Sequence, residues 1–275
     1  MIDPAILEPH LAHWGLTADG PPVQTQTAVV QFVRRGDESL VLKLITHADE
    51  AGQRAALVHF GGRGAVRLID WDGAALVLER ARPGAPLVRL VLEGRDDEAT
   101  LAAAEVMAEL HGVAAAPAAG LRTVEGWGLG FERVRPAAVD GGVEAALIDR
   151  AQRLYGELAA SQGRRVLLHG DLHHYNILED AGRGWLAIDP KGVVGEPAFE
   201  AGALLRNPLG ELRLFADSAI IERRTAILCE RLGLDRRRVL GWAFSQAVLS
   251  ALWSIEDGGE PGQGVAMARA CLPLL

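Results

Sequence analysis

Hydrophobic and polar positions follow two different periods along this chain. Up to about residue 80 the apolar residues come in short β-branched runs. "TAVVQFVRR" (27–35) and "SLVLKLI" (39–45) flank "GDE", which predicts an antiparallel hairpin. "AVRLIDWDGAALVLERA" predicts a second strand–turn–strand unit with Asp72-Gly73 at its turn. Between them "DEAGQRAALVHFGG" predicts a helix that stops at Gly61 or Gly62. "RPGAP", from Arg82 to Pro86, is the first strong break. It predicts a boundary between a lobe of residues 1–80 and a lobe of residues 81–275.

Beyond the break the period lengthens toward that of a helix. "DDEATLAAAEVMAELHGV" predicts a helix capped by Asp96 or Asp97 and stopped at Gly112. "VEAALIDRAQRLYGELAASQG" lines up Val143, Leu147, Ala151, Leu154 and Leu158 on one face. "DSAIIERRTAILCERLG" and "RRRVLGWAFSQAVLSALWSI" predict two more helices. "AAAPAAG" reads as a loop, and there is no internal repeat. The one β interruption is "VLLHGDLHHYNILEDAGRGWLAIDP", from Val166 to Pro190. The predicted class is α+β and bilobal, with a small antiparallel sheet in the first lobe and helices dominating the second.

Composition narrows the partners. Of 275 residues, 49% are hydrophobic and 23% charged, which is globular and ample for two lobes. The net charge is -8, and the first 80 residues carry 7 basic against 10 acidic groups. Neither lobe is basic, which argues against nucleic acid and anionic membrane as partners. Two isolated cysteines, Cys229 and Cys271, point to a reducing compartment. The start, "MIDPAILEPHLAHWG", is acidic and interrupted by proline, unlike a secretory signal. No apolar run approaches the ~18 residues that span a bilayer. The expectation is a soluble, cytoplasmic protein.

The stretch from Val166 to Pro190 concentrates the polar chemistry. Three readings compete: a histidine metal site, a polar structural turn, and a phosphate-handling site. Zinc requires three or four ligands at suitable spacing. His173 and His174 are adjacent, and with His169 they match no standard zinc pattern. An Asp or Asn beside a strand often only bonds the backbone of a turn. The joint spacing is more specific. If "NIL" and "WLAID" pair across "EDAGRG" with Leu178 opposite Ala187, then Asn176 stands opposite Asp189, and opposed Cβ atoms lie about 4.5–5.5 Å apart. An amide oxygen and a carboxylate so placed suit Mg²⁺, completed by water and phosphate. Asp171, five residues before Asn176, is placed to act as base toward a hydroxyl, and His169 to hold the loop by bonding its backbone.

These residues resemble a known family. His169, Asp171 and Asn176 match the kinase loop H-R-D-x-x-x-x-N with Gly170 in place of Arg, and Asp189 falls where D-F-G has its metal-binding Asp. "HGDLHHYNIL…WLAIDPKGVVGEPAFEAGALLRNP" is similar to the aminoglycoside phosphotransferases, and within them to the streptomycin 6-kinase and hydroxyurea phosphotransferase branch. "GRGAVRLI" and "LVLER" are also typical of that branch. The resemblance implies a protein-kinase-like fold, ATP and Mg²⁺ as cofactors, Asp171 as catalytic base, and Asn176 and Asp189 as metal ligands. It further implies that Lys43 contacts the α- and β-phosphates. Glu50 would be the ion-pair partner of Lys43, with Gln53, one turn on, as the alternative. The backbone at Glu79 and Arg80 would meet adenine. "VQTQTA" (23–28) lies where kinases have a Gly-rich loop, yet holds no glycine.

Departures from protein kinases point to a small acceptor. Pro190 and Lys191 replace F-G, there is no A-P-E, and only ten residues separate Asp189 from Glu200. "GEPAFE" places Glu196 and Glu200 just beyond Asp189, and "LWSIEDGGEPG" places Trp253 before Glu256 and Asp257. With His173, these residues form the expected acceptor-binding set for a cationic small molecule. Glu200 is alternatively a brace for the catalytic loop, as the related acidic position is in the family. The implied activity is transfer of the γ-phosphate of ATP to a hydroxyl of an aminoglycoside such as streptomycin. The alternatives are another small metabolite, or hydroxyurea. A pseudokinase is disfavoured because Lys43, Asp171, Asn176 and Asp189 are all present.

Overall fold

The computed structural model describes residues 4–47, 52–114, 117 and 120–275. A short helix, α1 (Glu8–His13), leads into a sheet formed by β1 (Thr17–Ala18), β2 (Val23–Gln24), β3 (Ala28–Arg35), β4 (Glu38–Ile45), β5 (Leu68–Asp72) and β6 (Ala75–Glu79). The order is β1-β3-β4-β6-β5, all antiparallel, with β2 also on β3. Strand alternation sends Val29, Val33, Leu40, Leu42 and Leu44 to one face, where Leu7, Leu16 and Val77 join them. Gly36 has φ 59, as the tight turn at Gly36-Asp37 requires.

The helix α2 (Gln53–Phe60) follows β4 and turns Ala56, Leu57 and Phe60 inward. It ends at Gly61, which is left-handed at φ 56 and returns its N–H to Leu57 O at 3.0 Å. The expected helix reached back to Asp49, whereas in the described residues it begins at Gln53. Glu50 lies outside the described residues.

The anticipated break at "RPGAP" is itself a strand, β7 (Pro83–Pro86). Next come α3 (Val88–Leu92), α4 (Asp96–His111), β8 (Arg122–Thr123), α5 (Val124–Gly128), α6 (Gly130–Asp140) and α7 (Ala145–Ala160). The β interruption gives β9 (Val166–Leu168), β10 (Ile177–Asp180), β11 (Gly184–Ala187) and β12 (Val193–Gly195). The chain closes with α8 (Pro197–Leu205), α9 (Ser218–Leu232), α10 (Arg236–Glu256) and α11 (Gly262–Cys271). The strand β7 pairs antiparallel with β10. The helix α10 runs through the middle of the helical carboxy-terminal part. Val239, Trp242, Phe244, Val248 and Leu252 on it have no exposed surface, and it packs on α6, α7, α8 and α11. Each such side chain contributes roughly 1.5–3 kcal/mol on burial, which explains a helix that is apolar on every side.

Two expectations are corrected here. Asp96 does not cap α4: it is the first helical residue, and its carboxylate binds Arg224 and Arg223 of α9. The β10–β11 register is one residue from the expected one, with Ile177 opposite Ala187 and Leu178 opposite Leu186. Asn176 therefore pairs with Ile188, whose N–H donates to Asn176 O at 2.9 Å, rather than with Asp189. The cause is the turn. Asp180 Oδ1 accepts from the amides of Gly182 and Arg183, and Gly184 at φ 75 closes the Asp180–Gly184 pair one residue sooner.

Candidate active site

Asp189 is the one non-glycine residue with positive φ among the described residues, at φ 62. That conformation costs an L-residue about 1–2 kcal/mol. It also breaks the strand alternation and turns the carboxylate across the lobes. Lys43, on β4 between Val30 of β3 and Leu76 of β6, places Nζ on Asp189 Oδ1. Gln53, fully buried, donates Nε2 to the same oxygen. Burial alone would raise the Asp189 carboxyl, but the Lys43 ammonium outweighs it and holds it below the usual carboxylate range. Among the described residues of α2, Gln53 meets this pair, and it donates to the aspartate.

The segment that carries His169, Gly170 and Asp171 is held from several sides. His169 is fully buried. Its Nδ1 accepts from Asp171 N–H at 3.2 Å and its Nε2 faces Ile188 O at 2.7 Å, partners that select the neutral Nε2–H tautomer. Its carbonyl accepts from the amides of Lys191 and Gly192. Gly170 has φ 87, and a Cβ there would lie 2.7 Å from Val193 Cγ2, which excludes the arginine of the protein-kinase motif. Glu200 of α8 accepts from the amides of His169 (2.7 Å) and Gly170 (2.9 Å), with His111 Nε2 at 3.6 Å. Burial pushes the Glu200 carboxyl up, but His111 and these amides hold it below its ordinary value.

Asp171 O accepts from Asn176 Nδ2 at 3.0 Å, which fixes the Asn side chain beside Asp171. Asp171 Oδ1 accepts from Arg206 Nη2 at 3.2 Å, and Oδ2 lies 3.7 Å from His173 Nε2. Burial opposes ionisation of Asp171, yet His173 and Arg206 keep its pKa below the usual range. His173 accepts Tyr175 N–H at Nδ1, and burial lowers its pKa against the pull of the Asp171 carboxylate.

A cavity of about 750 Å³ opens on Asp171. Trp253, Glu256 and Asp257 line it as expected, together with Trp127, Arg133 and Arg206. Trp253 meets Trp127 edge-on at 5.6 Å, and the Glu256 carboxylate accepts from Arg133 Nε and Nη2, each at 2.8 Å. Gln26 and Thr27 close the amino-terminal side. Their loop is tied by Thr25, whose hydroxyl accepts Ala28 N–H and reaches Ala28 O, both at 3.0 Å, so no glycine is needed. A second cavity, of about 720 Å³, lies between α7 and the start of α10 and holds none of these residues.

Two acceptor-binding expectations are corrected. Glu196 is buried with both oxygens on Arg238, at 2.6–2.9 Å, and a further bond from Trp242 Nε1. Glu200 is spent on the loop amides. Burial leaves neither carboxylate free for a ligand. Glu79 and Arg80 lie at the end of β6. The Glu79 carboxylate takes Arg67 N–H and Arg183 Nη1, and its own N–H donates to Arg67 O at 2.9 Å. Arg80 reaches Asp19 at 2.6 Å and lies 4.0 Å above the Phe32 ring. The sequence reading missed Arg206, Gln246, His111 and Arg133. Arg206 had a visible signal, a lone cation ending the apolar run "AFEAGALLR".

The fold is the bilobal one of kinase-like phosphotransferases. The chain superposes on an aminoglycoside phosphotransferase crystallised with ADP and hygromycin B at a TM-score of 0.69, with 16% identity, covering 97% of this chain and 98% of that one. It superposes equally, at 0.69 and 13% identity, on a Plasmodium vivax ethanolamine kinase, over 98% of this chain and 85% of that one. The aminoglycoside/hydroxyurea antibiotic resistance kinases match residues 13–258, and the chain belongs to that family. Among its relatives, a streptomycin 3''-kinase of Klebsiella pneumoniae is 32% identical, covering 90% of this chain and 92% of the relative. A hydroxyurea phosphotransferase of Kitasatospora aureofaciens is 37% identical over 95% and 76%. A streptomycin 6-kinase of Streptomyces glaucescens is 35% identical over 93% and 84%.

Proposed function

We propose that this kinase transfers the γ-phosphate of ATP, with Mg²⁺, to a hydroxyl of a small cationic acceptor of the aminoglycoside class, such as streptomycin. The observation that carries the reading is that Asp171, Trp253, Glu256 and Asp257 line one cavity. Residues 1–80 would form the nucleotide lobe and residues 81–275 the catalytic and acceptor lobe. Two unpaired thiols, Cys229 and Cys271, suit a cytoplasmic enzyme.

Each residue then has a role. Lys43 engages the α- and β-phosphates, and the backbone at Glu79 and Arg80 receives adenine through groups other than the Glu79 N–H, which donates to Arg67 O. Asp189 Oδ2 and Asn176 Oδ1 accept no hydrogen bond among the described residues. Such hard oxygens fit Mg²⁺, which when bound would offset phosphate charge. Asp171 Oδ2 takes the hydroxyl proton as the acceptor oxygen bonds to the γ-phosphorus and the bond to ADP breaks. Trp253 offers its ring, and Glu256 and Asp257 their charge, to the acceptor.

A second reading has one observation in its favour. Arg122, Arg133, Lys191 and Arg206 line the same cavity, so it is not uniformly acidic and also suits a small neutral acceptor such as hydroxyurea. A coupled ADP-release assay across streptomycin, other aminoglycosides, amino alcohols and hydroxyurea, with a protein control, separates the two. Preference for hydroxyurea over every cation would overturn the first reading. Absence of acceptor-dependent ADP from any of them would overturn both.

A further inference from the structure

Helix α8 grips the catalytic loop twice. Glu200 holds its amides, and six residues on, Arg206 holds the Asp171 carboxylate. The Arg206 side chain is 12% exposed, so this is a built contact rather than a surface pair. Its second nitrogen, Nη1, donates to Gln246 Oε1 of α10 at 3.1 Å. Gln246 is itself anchored, with Nε2 donating to Phe199 O at 2.7 Å. That geometry depends on Gly202, where a Cβ would lie 2.5 Å from the Gln246 amide. On the other side the fully buried Arg224 donates to Asn207 O at 2.7 Å, and Asn207 Nδ2 to Ala203 O at 2.8 Å. The backbone on both sides of Arg206 is therefore tied.

We propose that Arg206 is a positioning residue for phosphoryl transfer, pinning Asp171 Oδ1 so that Oδ2 faces the acceptor hydroxyl, and that Gln246 sets the orientation of Arg206. The inference rests on the role of Asp171 as base. An aspartate rotates freely about two side-chain bonds unless one oxygen is held, and a misplaced base loses most of its effect. Arg206 supplies that hold with a planar, permanently charged donor fork.

The test is a double-mutant comparison by ADP release, with the acceptor that the wild type uses best. Arg206→Met should lower kcat by ~10- to 100-fold with the KM for ATP within about twofold, and Arg206→Lys should recover part of the loss. In an Asp171→Asn background, under single turnover, Arg206→Met should change the rate by less than about twofold, because there is no base left to orient. Gln246→Leu leaves the guanidinium in place and should lower kcat by roughly three- to tenfold, which keeps the idea testable if Arg206→Met does not fold. An equal loss in both backgrounds, a loss confined to the acceptor KM, or wild-type kcat in folded Arg206→Met and Gln246→Leu would each overturn the proposal. Failure of the underlying reading looks different: the wild type itself would release no acceptor-dependent ADP.

Discussion

Lys43 and Asp189 stand 146 residues apart in the chain and meet in a salt bridge that crosses the two lobes. The lysine comes from a strand whose neighbours are both apolar, and the aspartate from a left-handed residue just past a hairpin. Local structure aims each side chain, but it does not bring the two together. The pair exists because α2 and the β10–β11 hairpin pack together, with Ala65 bridged to Ala187 and Leu57, Val66 and Leu186 in one cluster.

Asp171→Asn is expected to remove most turnover while nucleotide affinity and thermal stability stay near wild type. In the proposed mechanism the carboxylate serves the acceptor hydroxyl, not the nucleotide. Asp189→Asn is expected instead to weaken Mg²⁺-dependent nucleotide binding, read by titration with and without Mg²⁺. Equal affinity in wild type and Asp189→Asn would contradict the metal role.

Glu200→Gln is expected to destabilise the protein by about 1–3 kcal/mol, since the isosteric amide leaves one buried loop N–H facing another donor. A thermal melt reads the loss. kcat should fall as the loop loosens, while the acceptor KM holds.

Acid stability follows the same groups. The Glu200, Asp171 and Asp189 carboxyls all sit below their ordinary values in the folded state. A depressed folded pKa means stability present above the unfolded pKa, about 3.9–4.3, and lost as pH falls through the folded one. Melting temperature should therefore drop as pH falls below that range, with a shallower slope in Glu200→Gln. A slope identical to wild type would refute the linkage.

Glu196→Gln tests the corrected acceptor site. It should leave the acceptor KM unchanged and destabilise by about 3 kcal/mol, the lower end for breaking a buried ion pair. A raised KM at unchanged stability would return Glu196 to the acceptor site.

Glu256→Gln with Asp257→Asn should raise the KM of a cationic acceptor about two- to fivefold at low salt and less at high salt, because this rim is exposed. A neutral acceptor should be unaffected. Identical behaviour of charged and neutral acceptors would remove these residues from recognition.

Residues whose role is written in local spacing were legible in the chain. The Val29–Ile45 hairpin, the stop at Gly61 and the apolar length of α10 follow from alternation, glycine and helical period, which act over a few neighbours. The resemblance to kinase motifs picked out Lys43, Asp171, Asn176 and Asp189, and the structure joins Lys43 to Asp189 and Asn176 to Asp171. Tertiary structure decided what spacing cannot carry. The β10–β11 register shifted by one residue because Asp180 and Gly184 closed the turn early, and a positive φ, not strand opposition, aimed Asp189. Glu196 and Glu200 look alike in sequence to the solvated acids of the 256–257 loop. Packing against Arg238 and the loop amides made one an interior ion pair and the other a brace. Arg206 meets both Asp171 and Gln246, and Gln246 lies against α8 where Gly202 leaves room for it. Burial and partner identity are properties of the packed molecule, so a carboxylate's task is settled where its oxygens end up rather than by the residues beside it in the chain.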